Sequence, residues 1–512
     1  MDQVPAQMIQ ILQCWASSWP GIFLVTFSSL ALLIPSWFLN DPGTFWHIRT
    51  GEWMLDHHQI LDFDPFSQSQ SNWIPTQWLA EILMACSFRI GGLPMIKILT
   101  SLIIAAWISI PARRWFLAGM HPILVWLLAA LVLKVGAMHF LARPLLVNFL
   151  GITMLSYFIL DFENQKAKVS SLFWWFPLAV FWANCHGGYL GGISILGIAI
   201  LTWSIQYFFS KGPIKNFNSL LTLSTAGILW LLAPCISPFG IGMYAEWFKI
   251  WFKLDLSSYI IEHAMPNAFD LYMLGAYAVI VAVSFFFFLS PSRGNHLGII
   301  SGIYAWFFLA TKRARNAPIF ISVAAVMFEE IWHNLVNSKK IREDWIIHHP
   351  PTPTFRMKTG LTLIVGCCFI SSIFGWFQVQ LDAKRWPVEL IEPMQKMALE
   401  HGEGTKIYNS LNDGGFLIFY SPRWLVFQDD RCEIHAFRDD SEDGNWIKRM
   451  MKLEQESPEK LLHQLKNQNI KIAILERDCA FGKWLLAQQA NPDVKPAFSG
   501  KSHDIWLIGT AQ

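Results

Sequence analysis

Apolar stretches separated by short polar turns fill most of the chain up to about residue 377, and this pattern predicts membrane helices. A bilayer core takes about 20 consecutive apolar residues per helix. Runs that meet or approach that length lie at 20–40, 92–110, 117–138, 145–160, 172–183, 188–209, 219–235, 271–289, 297–310, 319–332 and 361–377. Together they predict roughly eleven spans. The N-terminal segment before the first run carries no Lys or Arg, so that run does not read as a cleaved signal peptide.

Beyond residue 377 the pattern changes and charges return. Strands are predicted at 406–408, 424–428, 471–475 and 504–508, with helices at 415–420, 446–467 and 483–489. The expected fold is a polytopic α-helical membrane protein with a C-terminal α/β domain outside the membrane. Residues 1–377 form the transmembrane part, with a large first outward loop at 41–77, and 378–512 form a small soluble domain. Trp386-Pro387 marks the linker. No tandem repeat or low-complexity tract interrupts this division.

Composition narrows the class. The 512 residues are 53% hydrophobic and only 15% charged, where a soluble domain carries about 25% charged residues. An ordinary cytosolic enzyme, a disordered chain and a disulfide-rich secreted scaffold are all excluded. A net charge of +2 gives no nucleic-acid footprint. Among the cysteines, Cys86, Cys185, Cys367 and Cys368 lie in apolar runs, with no CxxC pair and no zinc spacing.

Charge also orients the chain. Basic residues mark alternate connections: Arg113 and Arg114, Lys166 and Lys168, Lys211 and Lys215, Arg293, then Lys339, Lys340 and Arg342. By the positive-inside rule these face the cytoplasm. The segments 41–77 and 236–270 then face outward, as does the C-terminus. One outward turn breaks the rule with Lys312, Arg313 and Arg315. A basic cluster there suits an anionic headgroup or a phosphate.

Four groups of residues have side chains fit for chemistry. Asp41 stands where the first run ends, and His47 follows six residues later, near enough to converge if the chain turns at Pro42-Gly43. A partly desolvated carboxylate can act as a general base or hold a divalent cation; a solvated interfacial loop with Trp anchors is the plain alternative. Asn184-Cys185-His186-Gly187-Gly188 interrupts two apolar runs, and the glycines permit a sharp break. His186 there is a functional candidate or a simple helix cap. Glu262-His263 offers carboxylate and imidazole for a metal, although adjacent side chains seldom ligate one ion without a third partner. Arg313, Arg315 and Arg143 offer guanidinium forks for phosphate, or snorkel to headgroups. No phosphate loop, GxSxG or HExxH occurs.

Taken together, these segments resemble the bacterial GT-C glycosyltransferases, near the protein mannosyltransferase and lipid A sugar transferase branch. The resemblance is carried by Asp41, Trp46-His47-Ile48-Arg49-Thr50-Gly51, Asp64-Pro65-Phe66-Ser67 and Gln77-Trp78-Leu79-Ala80-Glu81. It continues through Trp182 to Gly188, Pro238-Phe239-Gly240, Ile261-Glu262, Tyr408-Asn409, Gly414 to Ile418 and Phe427 to Arg431. It implies a polyprenyl-phosphate sugar donor, an envelope acceptor, an outward active site in the bacterial inner membrane and, in some members, a divalent metal. It implies that Asp41 deprotonates the acceptor hydroxyl or helps hold a metal, that His47, His186 and Glu262 line the same cavity and that Arg315 faces the donor phosphate. Joined to the residue chemistry above, the catalytic candidates are Asp41, His47 and His186, the donor-phosphate candidates Arg315, Arg313 and Arg143, and the metal candidates Glu262 and His263. Two departures stand out. Asp41 is followed by Pro42 where many members pair two acids, and the tail reads Asp429-Asp430-Arg431 where relatives often have Asp-Gly-Arg. The rival readings are a transporter or flippase broken at His186, and a non-enzymatic envelope protein with an outward binding domain.

Overall fold

The computed structural model describes residues 33–254, 256–258, 260–289, 293–346, 366, 370, 373–438, 445–488 and 492–509. Among these, six helical segments are long and apolar enough to cross a bilayer: Trp78–Leu117, Pro122–His139, Pro144–Glu163, Tyr189–Phe208, Phe217–Cys235 and Leu271–Leu289. Ala314–Ala324 and Met327–Asn337, bent by 43°, add a seventh when taken as one span. The chain is a multi-pass membrane protein. The run at 20–40 and the run at 361–377 fall mostly outside the described residues. Those at 172–183 and 297–310 become helices of ten and 16 residues, Phe176–Cys185 and Leu297–Lys312, which are short of a full span.

Local chemistry explains several helix starts. Pro122, Pro144 and Pro318 sit in first turns, where a missing N–H costs nothing. Inside Trp78–Leu117 the backbone breaks at Gly91 and Gly92, the latter at φ 63°, a conformation open to glycine. The bundle is closed by Trp107, Trp115 and Trp203, each buried and set against a phenylalanine of another helix: Phe149, Phe328 and Phe162.

The segment 41–77, expected as a loop, carries a helix, α1 (Pro42–His57). Asp41 caps it, with Oδ2 accepting from the Thr44 N–H at 3.2 Å. One face of α1 lies on Trp78–Leu117, so close that a Cβ on Gly51 would run into the Glu81 carbonyl. Its other face receives α2 (Gly414–Tyr420) of the tail, where Gly415 leaves room for the Pro42 carbonyl.

The tail holds a five-stranded mixed sheet in the order β2-β1-β3-β5-β4. The strands are β1 (Thr405–Asn409), β2 (Trp424–Leu425), β3 (Ile472–Glu476), β4 (Val494–Ser499) and β5 (His503–Ile508). β1 runs parallel to β2 and β3, while β5 is antiparallel to both β3 and β4. The sequence pattern omitted β4, whose residues after Val494 are exposed and carry no clean alternation. It also ran together Trp446–Glu456 and Pro458–Asn467, which break at Ser457-Pro458 because a proline N lacks the hydrogen for continued helix bonding.

Candidate active site

A cavity of about 630 Å³ opens where the helix bundle, α1 and the tail meet. Its walls include His47, Arg143, His186, Glu262, His263, Arg313 and Arg315, seven residues singled out from sequence and scattered over more than 260 positions. Asp41 is not in the wall. It lies just behind, buried, with both carboxylate oxygens engaged by the Nε and Nη2 of Arg143.

Arg143 is the hub of this end of the molecule. Besides Asp41 it reaches Asp430 of the tail at 3.1 Å and Glu262 at 4.0 Å. Asp430 also accepts from the Trp46 indole at 2.9 Å. Burial pushes the Asp430 carboxyl up; Arg143 pulls it back and Asp41 pushes it further, leaving it at about 7. A carboxyl so placed can take or release a proton near neutrality. Burial alone would raise Glu262 as well, but the neighbouring His139, Arg143 and Arg315 outweigh it and hold the group at about 2.

The two catalytic candidates of the histidine type are fixed by buried neighbours. His47 Nδ1 meets Glu81 Oε1 at 2.9 Å, and burial, then the charge of Arg143, holds the imidazole well below its usual value. The tautomer of His186 follows from its partners. The Trp182 indole can only donate, and it donates to Asn148 Oδ1 at 2.7 Å. The Asn148 amide N–H must then donate to His186 Nδ1 at 2.8 Å, which also accepts from the Gly188 N–H at 2.8 Å. The His186 proton therefore sits on Nε2. The Asn184-to-Gly188 break thus builds a defined donor rather than a bare helix end.

Arg315 touches the His263 ring and, among the described residues, pairs with no carboxylate; neither do Arg313 or Lys312. Of the basic side chains around the wall, Arg143 and Arg431 are answered by Asp41, Asp64 and Asp429 just behind it, which leaves Lys312, Arg313 and Arg315 as surplus positive charge with no ion-paired carboxylate among the described residues. Such a surplus at a cavity is an anion site in its electrostatics. The same arginines bear on the expected metal at Glu262 and His263. With Arg143 and Arg315 beside them, these two side chains face positive charge, and the donor set does not fit a cation. Among the described residues, the one group of three His, Cys, Asp or Glu side chains with metal-ligand spacing is Asp413, Glu476 and His503, in the tail.

Sequence reasoning missed Glu81, His139, Asn148, Asp430 and Arg431 as parts of this region. Arg431 is fully buried and pairs with Asp64 at 2.8 Å and Asp429 at 2.7 Å, its guanidinium 4.8 Å from the Trp73 ring centre. The signal was present in Asp64-Pro65-Phe66-Ser67 and Asp429-Asp430-Arg431, two motifs noted separately; nothing in one sequence says that they meet.

No family model and no curated protein matches the chain. Solved structures do. The oligosaccharyltransferase of Archaeoglobus fulgidus, in the apo form, aligns over 90% of this chain and 69% of its own, at 11% identity and a TM-score of 0.53. The mycobacterial arabinofuranosyltransferase AftD aligns over 97% of this chain at 11% identity and a TM-score of 0.54, and this chain spans 40% of its length. ArnT from Cupriavidus metallidurans in the apo state aligns over 95% of this chain and 97% of its own, at 12% identity and a TM-score of 0.50. The fold is that of the GT-C membrane glycosyltransferases.

Proposed function

We propose that the protein is a membrane glycosyltransferase that takes a sugar from a polyprenyl-phosphate donor and passes it, with inversion, to an envelope acceptor on the extracytoplasmic face of the bacterial inner membrane. The observation that carries this reading is the set of cavity cations without carboxylate partners, Arg315 foremost. A half-buried guanidinium on a cavity wall, with no carboxylate within ion-pair distance among the described residues, is arranged for an anion from outside. An open cavity at one end of a lipid-embedded bundle suits an anion that arrives on an isoprenoid tail.

In this reading Arg315 and Arg313 bind the donor phosphate and offset the negative charge that grows on it as the glycosidic C–O bond breaks. Arg143 positions Asp41 and Asp430. The acceptor hydroxyl attacks the anomeric carbon from the face opposite the phosphate, and its proton passes to this carboxylate pair. Asp430, in the cavity wall, receives it first, with Asp41 behind Arg143 setting the charge balance. His47, oriented by Glu81, and His186, with its Nε2–H, orient hydroxyls of the sugar or acceptor. Glu262 keeps His139 and Arg143 in place. No step is drawn through a metal at Glu262 and His263.

The test is transfer by the purified protein in lipid, using a panel of radiolabelled polyprenyl-phosphate sugars and envelope extracts as acceptors. Labelled product that disappears in Arg315→Gln supports the reading. Absence of transfer across the whole panel, with the protein folded, refutes it. A transporter would instead move label across vesicles with no new glycosidic bond.

A further inference from the structure

The tail carries a second concentration of ionisable groups, remote in sequence and in role from the cavity. Asp413 follows the carboxyl end of β1, Glu476 ends β3, and His503 begins β5 directly opposite Glu476 in the strand register. Because β1 and β3 are parallel neighbours, their carboxyl ends open on the same edge of the sheet. That edge is where mixed and parallel sheets gather ligands, since side chains from adjacent strand ends converge there.

We propose that Asp413, Glu476 and His503 bind one divalent transition-metal ion, of the Zn2+ or Mn2+ class, and that this ion fixes the tail where it seats on α1. One ligand atom from each residue lies within 4.8 Å of the others. Asp413 Oδ2 and His503 Nε2 are 3.5 Å apart, near the roughly 3.3 Å expected between two ligands on one tetrahedral zinc. The second, independent sign is Asp413 itself. It is fully buried, and neither of its carboxylate oxygens has a hydrogen-bond partner among the described residues. His503 Nε2 is likewise buried and unpartnered. Leaving a buried carboxylate unanswered is costly, and a cation between these atoms removes that cost.

The surroundings favour this site over an ordinary ion pair. Neither nearby arginine answers Asp413: Arg477 pairs with Asp504 at 3.2 Å, and Arg385 approaches the rim ligand Glu476 only to 3.9 Å, beyond hydrogen-bonding distance. His503 Nδ1 is held by Ser502 Oγ at 2.9 Å, which turns Nε2 toward Asp413. An outer partner of this kind is what orients a ligating imidazole. One imidazole with two carboxylates selects a borderline ion such as Zn2+ or Mn2+ over Ca2+ or Mg2+, which prefer all-oxygen shells. Asp413 is also the residue before α2, whose Gly415 packs on Pro42. An ion at Asp413 therefore anchors the first turn of the helix that meets α1, and α1 carries His47.

The test uses the full-length protein in detergent, stripped of metal and then titrated with Zn2+, Mn2+ and Ca2+, with bound metal per chain read by elemental analysis. The expected result is one equivalent of Zn2+ or Mn2+, and affinity weaker by about tenfold or more in Glu476→Gln. Glu476 is half-exposed at the rim, so that variant keeps the fold even if Asp413→Asn does not. Metal binding is read without any transfer assay, so it stands or falls apart from the transferase reading. No bound transition metal, unchanged binding in Glu476→Gln, or a preference for Ca2+ would each overturn the proposal.

Discussion

Arg431 and Arg315 line the same cavity, the first buried and the second half-buried, and they are built in opposite ways. Arg431 has a carboxylate on either side, Asp64 from the first polar segment and Asp429 from the tail, and aromatic rings of Trp46, Phe66 and Trp73 around it. Its charge is answered in full by the chain. Arg315 has an imidazole, His263, and no carboxylate partner among the described residues. The first arginine joins two parts of the molecule. The second keeps a charge in reserve for something the chain does not supply. Arg143 stands between these cases, shared by Asp41, Asp430 and Glu262.

The contrast is broken most severely at Arg431. Arg431→Ala strands two buried carboxylates, and removing one partner of such a cluster costs about 3–5 kcal/mol. The expected outcome is loss of the tail-to-bundle seam, read as new protease cleavage in the polar stretch 378–385 before Trp386-Pro387 and a collapsed thermal transition. Arg315→Gln should do the reverse. It breaks no ion pair within 4 Å, and Glu262 keeps His139 and Arg143 beside it, so the thermal transition stays near that of the parent. Transfer should fall by about 10²–10³, the usual effect of deleting one oxyanion-stabilising donor.

Asp430 sharpens the comparison through pH. A base must be unprotonated, so log activity should climb with pH and level off above about 7, where the Asp430 carboxyl has lost its proton. Asp430→Asn should remove that inflection and slow transfer by about 10². If the inflection persists in the variant, another group supplies it.

The smallest expected effect concerns acid stability. Burial first, and then the charge of Arg315, depress His263 from 6.5 to about 3. An unfolded chain takes up this proton below 6.5 while the folded one does not until about 3. The stability tied to a neutral His263 is therefore complete above 6.5 and declines as pH falls toward 3. Arg315→Gln removes part of the depression, so its thermal transition should drop less between pH 7 and pH 5 than that of the parent. An equal drop would mean that the two side chains are not coupled.

Much of the fold was legible because lipid imposes a simple rule: a spanning segment must be apolar over its whole length. The described runs from 92–110 to 319–332 all fall on helices, and the tail strands at 406–408, 471–475 and 504–508 lie within β1 or overlap β3 and β5. The misses have local causes. α1 was hidden because Glu52, Asp56 and His57 give it a polar face and no membrane-like run. β4 was hidden because it is an edge strand with most residues exposed.

Site legibility followed a similar division. His47, His186, Glu262 and Arg315 stood out because polar side chains are conspicuous in apolar sequence. Asp430 and Arg431 did not, since charges are ordinary in a soluble tail and their burial depends on contact with α1 and Asp64. The pairing of Asp41 with Arg143 was equally invisible, the two lying 102 positions apart in sequence.

The central claim is that Arg315 and its neighbours hold a lipid-borne phosphate. Its most direct measurement compares equilibrium binding of a polyprenyl phosphate and of the corresponding polyprenol, for the parent protein and for Arg315→Gln. The account predicts that the parent strongly prefers the phosphate and that the variant loses that preference while still binding the isoprenoid chain. Equal binding of both lipids by the parent, or an undiminished preference in the variant, would contradict it.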